Sequence, residues 1–262
     1  MATDHSMVTG SVMRTALPIT AQSMPAPIVP SGRLAGRTLA VATAADIQLR
    51  HGEVVLTFDD GPRPGRTDAI LATLDDFGVK ATFMMLGNAA RAHPQTVQAV
   101  ALQGHTIGSH TYDHADLSTL TQQAAMTDIS RGQDAVAAAL APIGKQPAPF
   151  FRFPYLAQTG FLRTSLFRDN AVVLDVNIDS KDYYKDTPEQ VLARTLARLD
   201  ARGSGIILFH DIQARTVTLM PMFLKALEDR GYSVVRLVPK TNGPFGIDVI
   251  TAEAPVDLRG AY

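Results

Sequence analysis

The amino-acid sequence predicts an α/β protein in which parallel strands alternate with helices and close into a single-domain (β/α) barrel. Short apolar runs alternate with longer amphipathic stretches, and seven or eight such units lie between residues 46 and 240. Ionisable side chains follow five of the apolar runs. Strands that alternate with crossover helices form a parallel sheet, and this number of short units favours a barrel over an open sheet.

The first half of this domain contains three predicted strands and three predicted helices. Short apolar runs bounded by polar or turn residues indicate the strands, at residues 53–58, 79–85 and 105–109. Apolar side chains at helical spacing indicate the helices, at residues 69–77, 95–103 and 122–140. Gly78 and Gly104 follow the first two helices, and glycine is common where a helix ends.

The second half of the domain continues the alternation. The predicted strands are residues 150–153, 172–176, 205–209 and 233–237. The predicted helices are residues 160–167, 188–199 and 217–228. Thr187 and Pro188 mark the best-defined boundary, because threonine is a favoured N-cap and proline fits the first helical position.

The two ends of the chain are predicted to lie outside this domain, which is assigned to residues 46–240. Residues 1–45 are rich in Pro, Ser, Thr, Ala and Gly and are predicted to form an extended N-terminal arm. Residues 241–262 lack a helical period and are predicted to form a C-terminal tail. No basic start followed by an apolar run is visible, so no signal peptide is expected, and no stretch is predicted to cross a bilayer.

The composition excludes several classes of site and partner. The formal net charge is -1 without blocks of like charge, so no nucleic-acid partner is expected. The chain has no cysteine, so disulfides and thiolate ligands are excluded and any metal must be held by His, Asp or Glu. The oligomeric state stays open.

Ionisable residues after five predicted strands are expected to meet at one end of the barrel, where the carboxyl ends of its strands lie. They are Asp59 and Asp60, His110 and His114, Arg152, Asp179 and Asp182, and His210 and Asp211. His110 and His114, four residues apart on one face of a helical turn, could bind a metal together with one carboxylate. A plain Asp-Gly-Pro turn at Asp60 and two surface histidines are the alternatives.

The remaining residues of this set allow both structural and chemical interpretations. His210 ends a strongly apolar strand, so it is either a core histidine or a general acid oriented by Asp182. Arg152 needs a carboxylate partner if it is buried, and Asp59 is the natural one. Four other carboxylates are interpreted as cap and turn residues: Asp113, Asp116, Asp175 and Asp211.

Five segments in order resemble the motifs of the NodB-type polysaccharide deacetylases, carbohydrate esterase family four. They are Thr57–Pro62, His110–His114, Arg152–Tyr155, Asp179–Tyr183 and Leu208–His210. The resemblance spans about residues 52–240 and implies a distorted barrel, often of seven strands, with a bound divalent metal. Zinc is the expected ion, and cobalt, nickel and manganese are alternatives.

Carried over position by position, the resemblance implies a role for each of these residues. Asp60, His110 and His114 would be the metal ligands. Asp59 would be the catalytic base held by Arg152, and His210 would be the general acid oriented by Asp182. The Tyr155 backbone N–H would contact the oxyanion, Leu208 would line the acetyl pocket, and Tyr183 would bind substrate. The family usually has tryptophan at the position of Tyr183, where it forms a wall of the groove.

The function that the resemblance implies is hydrolysis of N-acetyl groups on an N-acetylglucosamine polysaccharide, of the chitin-oligomer or peptidoglycan type, with release of acetate. An O-acetyl xylan esterase and a small-amide hydrolase are alternatives on the same fold. A non-catalytic sugar-binding relative is a third alternative, which the intact motifs disfavour. Because members of this family usually act in the periplasm or outside the cell, the resemblance implies one of these locations. A cytoplasmic location is the alternative.

Overall fold

The computed structural model of the chain describes Met1 and residues 34–240. Residues 34–240 belong to one compact unit, Ser31–Tyr262. Most of the predicted N-terminal arm (residues 2–33) and the whole predicted tail (residues 241–262) lie outside the described residues. In the described part of the chain, no helix has the length and apolar character needed to cross a membrane.

Within residues 34–240, nine strands form one sheet in which all paired strands are parallel. In chain order they are β1 (Ala35–Val41), β2 (Glu53–Asp59), β3 (Thr82–Met85), β4 (Thr106–Ser109), β5 (Phe150–Phe151), β6 (Val172–Val173), β7 (Ile178–Asp179), β8 (Gly205–His210) and β9 (Ser233–Pro239).

Seven α-helices connect the strands in this part of the chain. They are α1 (Arg66–Asp76), α2 (Gly87–Ala92), α3 (Pro94–Leu102), α4 (Gln122–Leu140), α5 (Gly160–Arg168), α6 (Pro188–Arg202) and α7 (Ala214–Asp229). The predicted start of α6 is confirmed, because the Thr187 hydroxyl accepts from the Gln190 N–H and the Gln190 side chain accepts from the Thr187 N–H.

The seven strands β2–β8 form a distorted barrel that is open on one side. One edge of β2 pairs with β3, and pairing continues through β4 and β5 to β6. The other edge of β2 pairs with β8, which pairs with β7. No ladder joins β6 to β7 within residues 34–240, and a cavity of about 290 Å³ opens beside Val173, Asp175 and Asn177. The predicted fold class, a distorted barrel of seven parallel strands, is thus confirmed.

The predicted strand 172–176 is in fact two strands with different partners. After β6 the N–H of Leu174 still donates to Phe151 of β5, but the N–H of Asn177 donates to Ile206 of β8. The Asn177 side chain also accepts from the Ile206 N–H. The chain therefore leaves one side of the gap and joins the other within three residues, and this change of partner ends β6 early.

Strands β9 and β1 lie outside the ring of seven. β9 pairs with the first two residues of β2, Glu53 and Val54, and β1 pairs with β9. β1 falls in the stretch predicted as an N-terminal arm, so the sheet includes residues before residue 46. The sequence gives no strand signal there because β1 is an edge strand in which only Val41 is buried.

Alternation along β2 directs its last residue into the barrel. Val54 and Phe58 pack with helix residues in the larger core, whereas Val55 belongs to a second core of strand and loop residues. Side chains two positions apart on a strand share a face. Thr57 and Asp59 therefore face the barrel interior, as Val55 does.

Strand β8 follows the same rule beside β2. Ile206 lies in the interior core and Phe209 in the outer one, so Leu208 and His210 share the interior face with Ile206. The β2–β8 register pairs Asp59 with His210. The two central strands thus bring a carboxylate and an imidazole to the same end of the barrel.

Candidate metal centre and active site

The two adjacent carboxylates after β2 point to different partners. Asp59 is almost fully buried, and its Oδ1 accepts from Nη1 of Arg152 at 2.7 Å. Asp60 has a φ of 74°, a left-handed conformation that is uncommon for residues other than glycine. This change of backbone direction separates the carboxylates, so Asp60 faces two histidines while Asp59 stays with Arg152.

Asp60, His110 and His114 form the cluster that could hold a metal ion. Oδ1 of Asp60 lies 3.5 Å from Nε2 of His110 and 3.3 Å from Nε2 of His114. One ligand atom from each residue lies within 4.8 Å of the other two. Oδ1 of Asp60 is buried and has no hydrogen-bond partner in the described structure, which suits an atom that would coordinate a cation.

The ring of His110 is held in the tautomer that a metal ligand requires. Its Nδ1 lies 2.8 Å from the carbonyl oxygen of Arg152, which can only accept, so Nδ1 carries the proton. Nε2 then presents its lone pair towards Asp60. Burial lowers the pKa of His110, which favours the neutral ring, although Asp59 and Asp60 act in the opposite direction.

The segment that carries the two histidines is a loop, not the helical turn predicted from their spacing. The His110 N–H donates to Met85 and continues β4, but Thr111 and His114 have positive φ values of 71° and 58°. The loop packs directly on α4, because a Cβ added to Gly132 would lie 2.5 Å from the Thr111 carbonyl oxygen. Tertiary contact rather than helical periodicity therefore sets the distance between the rings.

Arg152 is the largest fully buried side chain in the described part of the chain, with 1% exposure. Its guanidinium donates to Asp59, to the Thr57 hydroxyl at 2.8 Å and to the Leu174 carbonyl at 3.0 Å. A buried carboxyl group is costly unless it is paired and hydrogen-bonded, and Arg152 gives Asp59 such a partner beside the candidate metal site.

His210 and Asp182, predicted as a pair, lie in direct contact. Nδ1 of His210 is 2.6 Å from Oδ1 of Asp182, and the His210 N–H donates to Oδ2 at 2.7 Å. The Thr216 hydroxyl also donates to Oδ2 of Asp182. Burial disfavours the charged ring, but the hydrogen bond and charge of Asp182 outweigh it and raise the pKa of His210 to about 9. Nε2 of His210 lies 4.0 Å from Oδ2 of Asp60.

Two exposed tyrosines lie beside the histidines of the cluster. Tyr155 is 68% exposed, has a φ of 57°, and packs edge-on against His114 with 4.6 Å between ring centroids. Tyr183 packs edge-on against His210 at 5.3 Å, and its hydroxyl donates to Asp179 at 3.1 Å. Leu208 is 5% exposed and lies on β8 opposite Thr57.

Of the four carboxylates interpreted as cap and turn residues, Asp211 differs most from that interpretation. It is fully buried, and its Oδ2 accepts from the Thr67 hydroxyl at 2.6 Å. Burial raises the pKa of Asp211 to about 7. Asp116 does cap a 3₁₀ turn, by accepting from the Ser118 N–H. Nothing in the local sequence distinguishes Asp211, because its burial depends on contacts with residues about 150 positions earlier.

Comparisons with known proteins agree on one family. Residues 46–168 match the family model described as polysaccharide deacetylase. The chain is 31% identical over 214 residues to a chitin deacetylase of Colletotrichum lindemuthianum, an alignment that covers 77% of this chain and 84% of that protein. Three further curated relatives are matched over 37% to 50% of their own length.

Solved structures give the same result. A peptidoglycan deacetylase of Bdellovibrio bacteriovorus superposes with a TM-score of 0.69 at 38% identity, over 80% of this chain and 58% of that one. A family 4 carbohydrate esterase of Streptomyces lividans superposes with a TM-score of 0.62 at 30% identity, over 77% of this chain and 98% of that one.

Proposed function

Because this chain belongs to the polysaccharide deacetylase family, we propose that it is a metal-dependent hydrolase that removes N-acetyl groups from an N-acetylglucosamine polysaccharide. The products would be acetate and a free amino sugar. The observation that carries the proposal is the convergence of Asp60, His110 and His114 beside the Asp59–Arg152 and His210–Asp182 pairs. The names of the relatives support a chitin-type or peptidoglycan-type polymer.

We propose that Asp60, His110 and His114 hold a divalent ion, with zinc as the expected ion. The residues fit such an ion: within residues 34–240 the Asp60 Oδ1 atom has no hydrogen-bond partner, and the His110 Nε2 atom has a free lone pair. Two histidines and one carboxylate leave coordination positions for water and substrate. A divalent ion held there would act as a Lewis acid that lowers the pKa of water and polarises the acetamide carbonyl.

Asp59 is the proposed catalytic base. Its Oδ1 atom is occupied by Arg152, but its Oδ2 atom faces the candidate metal site, 3.8 Å from the Nε2 atom of His110. This free oxygen can take the proton of a water molecule as that water attacks the acetamide carbonyl. The backbone N–H of Tyr155 would donate to the oxygen on which negative charge develops, a contribution of about 3 kcal/mol per donor in comparable sites.

His210 is the proposed general acid. Asp182 binds its Nδ1 atom, so the proton on Nε2 faces the cluster and can pass to the nitrogen of the leaving amine. An amine leaves poorly unless it is protonated, so this transfer completes the reaction. Leu208 would line the space for the acetyl methyl group, and Tyr155 and Tyr183 would contact the sugar from two sides of the site.

Two substitutions distinguish the proposed catalytic base from a proposed metal ligand. Asp59→Asn is expected to keep stoichiometric metal and to lose turnover by about 10²- to 10⁴-fold. His110→Ala is expected to lose the metal itself. Metal content by atomic emission and acetate release from N-acetylglucosamine oligomers of graded length would be measured on the same samples. An Asp59→Asn protein with near wild-type turnover would remove Asp59 as the base.

The choice of substrate distinguishes the alternatives. Metal-dependent acetate release from N-acetyl oligomers supports the proposal, and its dependence on oligomer length gives the extent of the groove. Release from acetylated xylan alone would make the protein an esterase. If the metal-bound protein released acetate from neither substrate, it would be a small-amide hydrolase or a non-catalytic relative. We place the protein outside the cytoplasm in this proposal, because polymers of this class lie there.

A further inference from the structure

Asp211 is a fully buried carboxylate next to the proposed general acid, and the chemistry proposed above does not use it. It follows His210 at the end of β8, with no exposed surface. Its Oδ2 atom accepts a hydrogen bond from the Thr67 hydroxyl of α1, at 2.6 Å. The Oδ1 atom is buried and has no hydrogen-bond partner within the described residues. Burial of a carboxylate with an unpaired oxygen destabilises the fold, so a functional reason for Asp211 is expected.

The Asp211 carboxylate lies directly against Gly61, the residue after Asp60. A Cβ added to Gly61 would lie 2.2 Å from Oδ2 and 2.4 Å from Oδ1 of Asp211. No other residue type could bring its backbone this close to both oxygens. The Asp211 carboxylate therefore packs directly against the backbone of the loop that follows β2.

The far end of the same loop is tied to the same carboxylate through Thr67. The Thr67 hydroxyl donates to Asp211 and accepts from the Arg63 N–H at 2.8 Å. The guanidinium of Arg66 donates to the carbonyl of Ile212, the residue after Asp211. Thr67 and Arg66 thus connect the start of α1 to Asp211 itself and to the residue that follows it.

The loop held in this way contains a residue in an unfavourable backbone conformation. Asp60 has a φ of 74°, and such a conformation persists in a residue other than glycine only when its surroundings enforce it. The N–H of Leu86 also binds the Gly61 carbonyl at 3.0 Å. Gly61 is thus fixed by a hydrogen bond to its carbonyl and by the Asp211 carboxylate against its Cα.

We infer that Asp211 is a positioning residue that sets the place of Asp60 relative to His210, and so shapes the metal site. The inference rests on the proposed function, because it takes Asp60 as a metal ligand. Asp211 is unsuited to act as a base, since it is fully buried and bound to Thr67. Its link to the reaction runs through Gly61 and Asp60 on one side and through the main chain of His210 on the other.

The experiment measures cobalt binding by metal-stripped protein, from the visible absorption of Co²⁺, together with thermal stability. Asp211→Asn is expected to bind Co²⁺ about 10- to 100-fold more weakly, as is usual when a group that supports a ligand is removed. Glu53→Gln is the matched control. Like Asp211→Asn, it converts a buried carboxylate to an amide, but at the start of β2, the end opposite Asp59, and it should leave Co²⁺ affinity within about twofold of wild type.

Thr67→Val tests positioning without changing Asp211 itself. It removes the hydroxyl that holds the Asp211 side chain, and it is expected to weaken Co²⁺ binding by about threefold or more. It also decides the question if Asp211→Asn does not fold. Unchanged Co²⁺ affinity in the folded variants, with only a lower melting temperature, would reduce Asp211 to a structural residue. A wild-type protein that binds no Co²⁺ would refute the metal site, and the inference with it.

Discussion

The carbonyl oxygen of Arg152 lies 2.8 Å from Nδ1 of His110, while the guanidinium of the same residue lies 2.7 Å from Oδ1 of Asp59. The residue after β5 thus fixes the tautomer of a candidate metal ligand and also pairs with the candidate base. The two contacts use different parts of Arg152, so a side-chain substitution removes one and leaves the other.

Arg152→Met should separate these two contacts. Loss of the guanidinium leaves Asp59 buried without its partner, and we expect a loss of about 3–5 kcal/mol in the free energy of unfolding. The main-chain contact to His110 remains, so metal content should stay near wild type while turnover falls. Urea denaturation, metal analysis and acetate release would be measured on the same samples. Metal content that fell in step with turnover would contradict this division.

Arg163→Met provides the matched control. Arg163 pairs with Asp175 at 2.7 Å, but both side chains are substantially exposed, at 41% and 56%. Exposed ion pairs contribute about 0–1 kcal/mol, so this variant should unfold close to the wild type.

Asp182→Asn should move the alkaline limb of the pH–activity profile to lower pH. A histidine that acts as an acid must be protonated, so activity is lost as pH rises through its pKa. Asp182 raises that pKa to about 9 in the absence of metal, and without the carboxylate it should fall by at least about one unit. A metal ion lowers it in both proteins, so the difference between their kcat/KM profiles is the quantity to measure.

Asp186→Asn is the control for that shift. Asp186 lies in the same loop but pairs with Arg194 rather than His210, at 2.6 Å. Its profile should superpose on that of the wild type. An alkaline limb that stayed in place in Asp182→Asn would exclude His210 as the group whose ionisation limits activity at high pH.

Gly132→Ala should displace the loop that carries His110 and His114. Alanine normally stabilises a helix relative to glycine by about 0.5–1 kcal/mol. At Gly132 the new Cβ would lie 2.4 Å and 2.5 Å from the Thr111 carbonyl atoms. We expect a net loss of about 1–3 kcal/mol in unfolding free energy together with weaker metal binding. Gly160→Ala, whose Cβ would meet open space, should change neither quantity appreciably.

Glu53→Gln should reveal an acid-sensitive contact far from the site. The hydrogen bond from Arg37 lowers the pKa of Glu53 from 4.5 to about 2. The carboxylate therefore stabilises the fold fully above about pH 5, and its contribution is lost as pH falls towards 2. The stability difference between metal-free wild type and variant, from urea melts at graded pH, should shrink over that range. A difference that did not vary with pH would disprove the assignment.

The sequence was most informative where elements are buried and locally encoded. β2 and β8 are continuous apolar runs because both lie inside the sheet, and the start of α6 follows from Thr187 and Pro188 alone. The ordered motifs also predicted which residues meet at the candidate site. The roles of these residues in the reaction stay predictions from the family resemblance.

What the sequence did not reveal depends on contacts between distant residues. β1 carries exposed side chains and forms only because β9 is beside it, and the split into β6 and β7 follows from the bonds of Asn177 to Ile206. The spacing of His110 and His114 indicated a helical turn, but the contact of Thr111 with Gly132 imposes a loop. Asp211 looked like a turn residue because its partner, Thr67, lies on the first helix.

The missing ladder between β6 and β7 gives the ring a seam, and β2 lies four pairings from β6 and two pairings from β7. His110, His114 and Arg152 follow strands on one arm of the ring, whereas Asp182 follows β7 and His210 ends β8 on the other arm. The arms meet through main-chain hydrogen bonds at β2, where the register of Asp59 with His210 fixes the spacing of the candidate base and the candidate acid. The seam beside residues 175 and 176 therefore lies outside the ladders that set this spacing, and a substitution there breaks no ladder between β2 and β8.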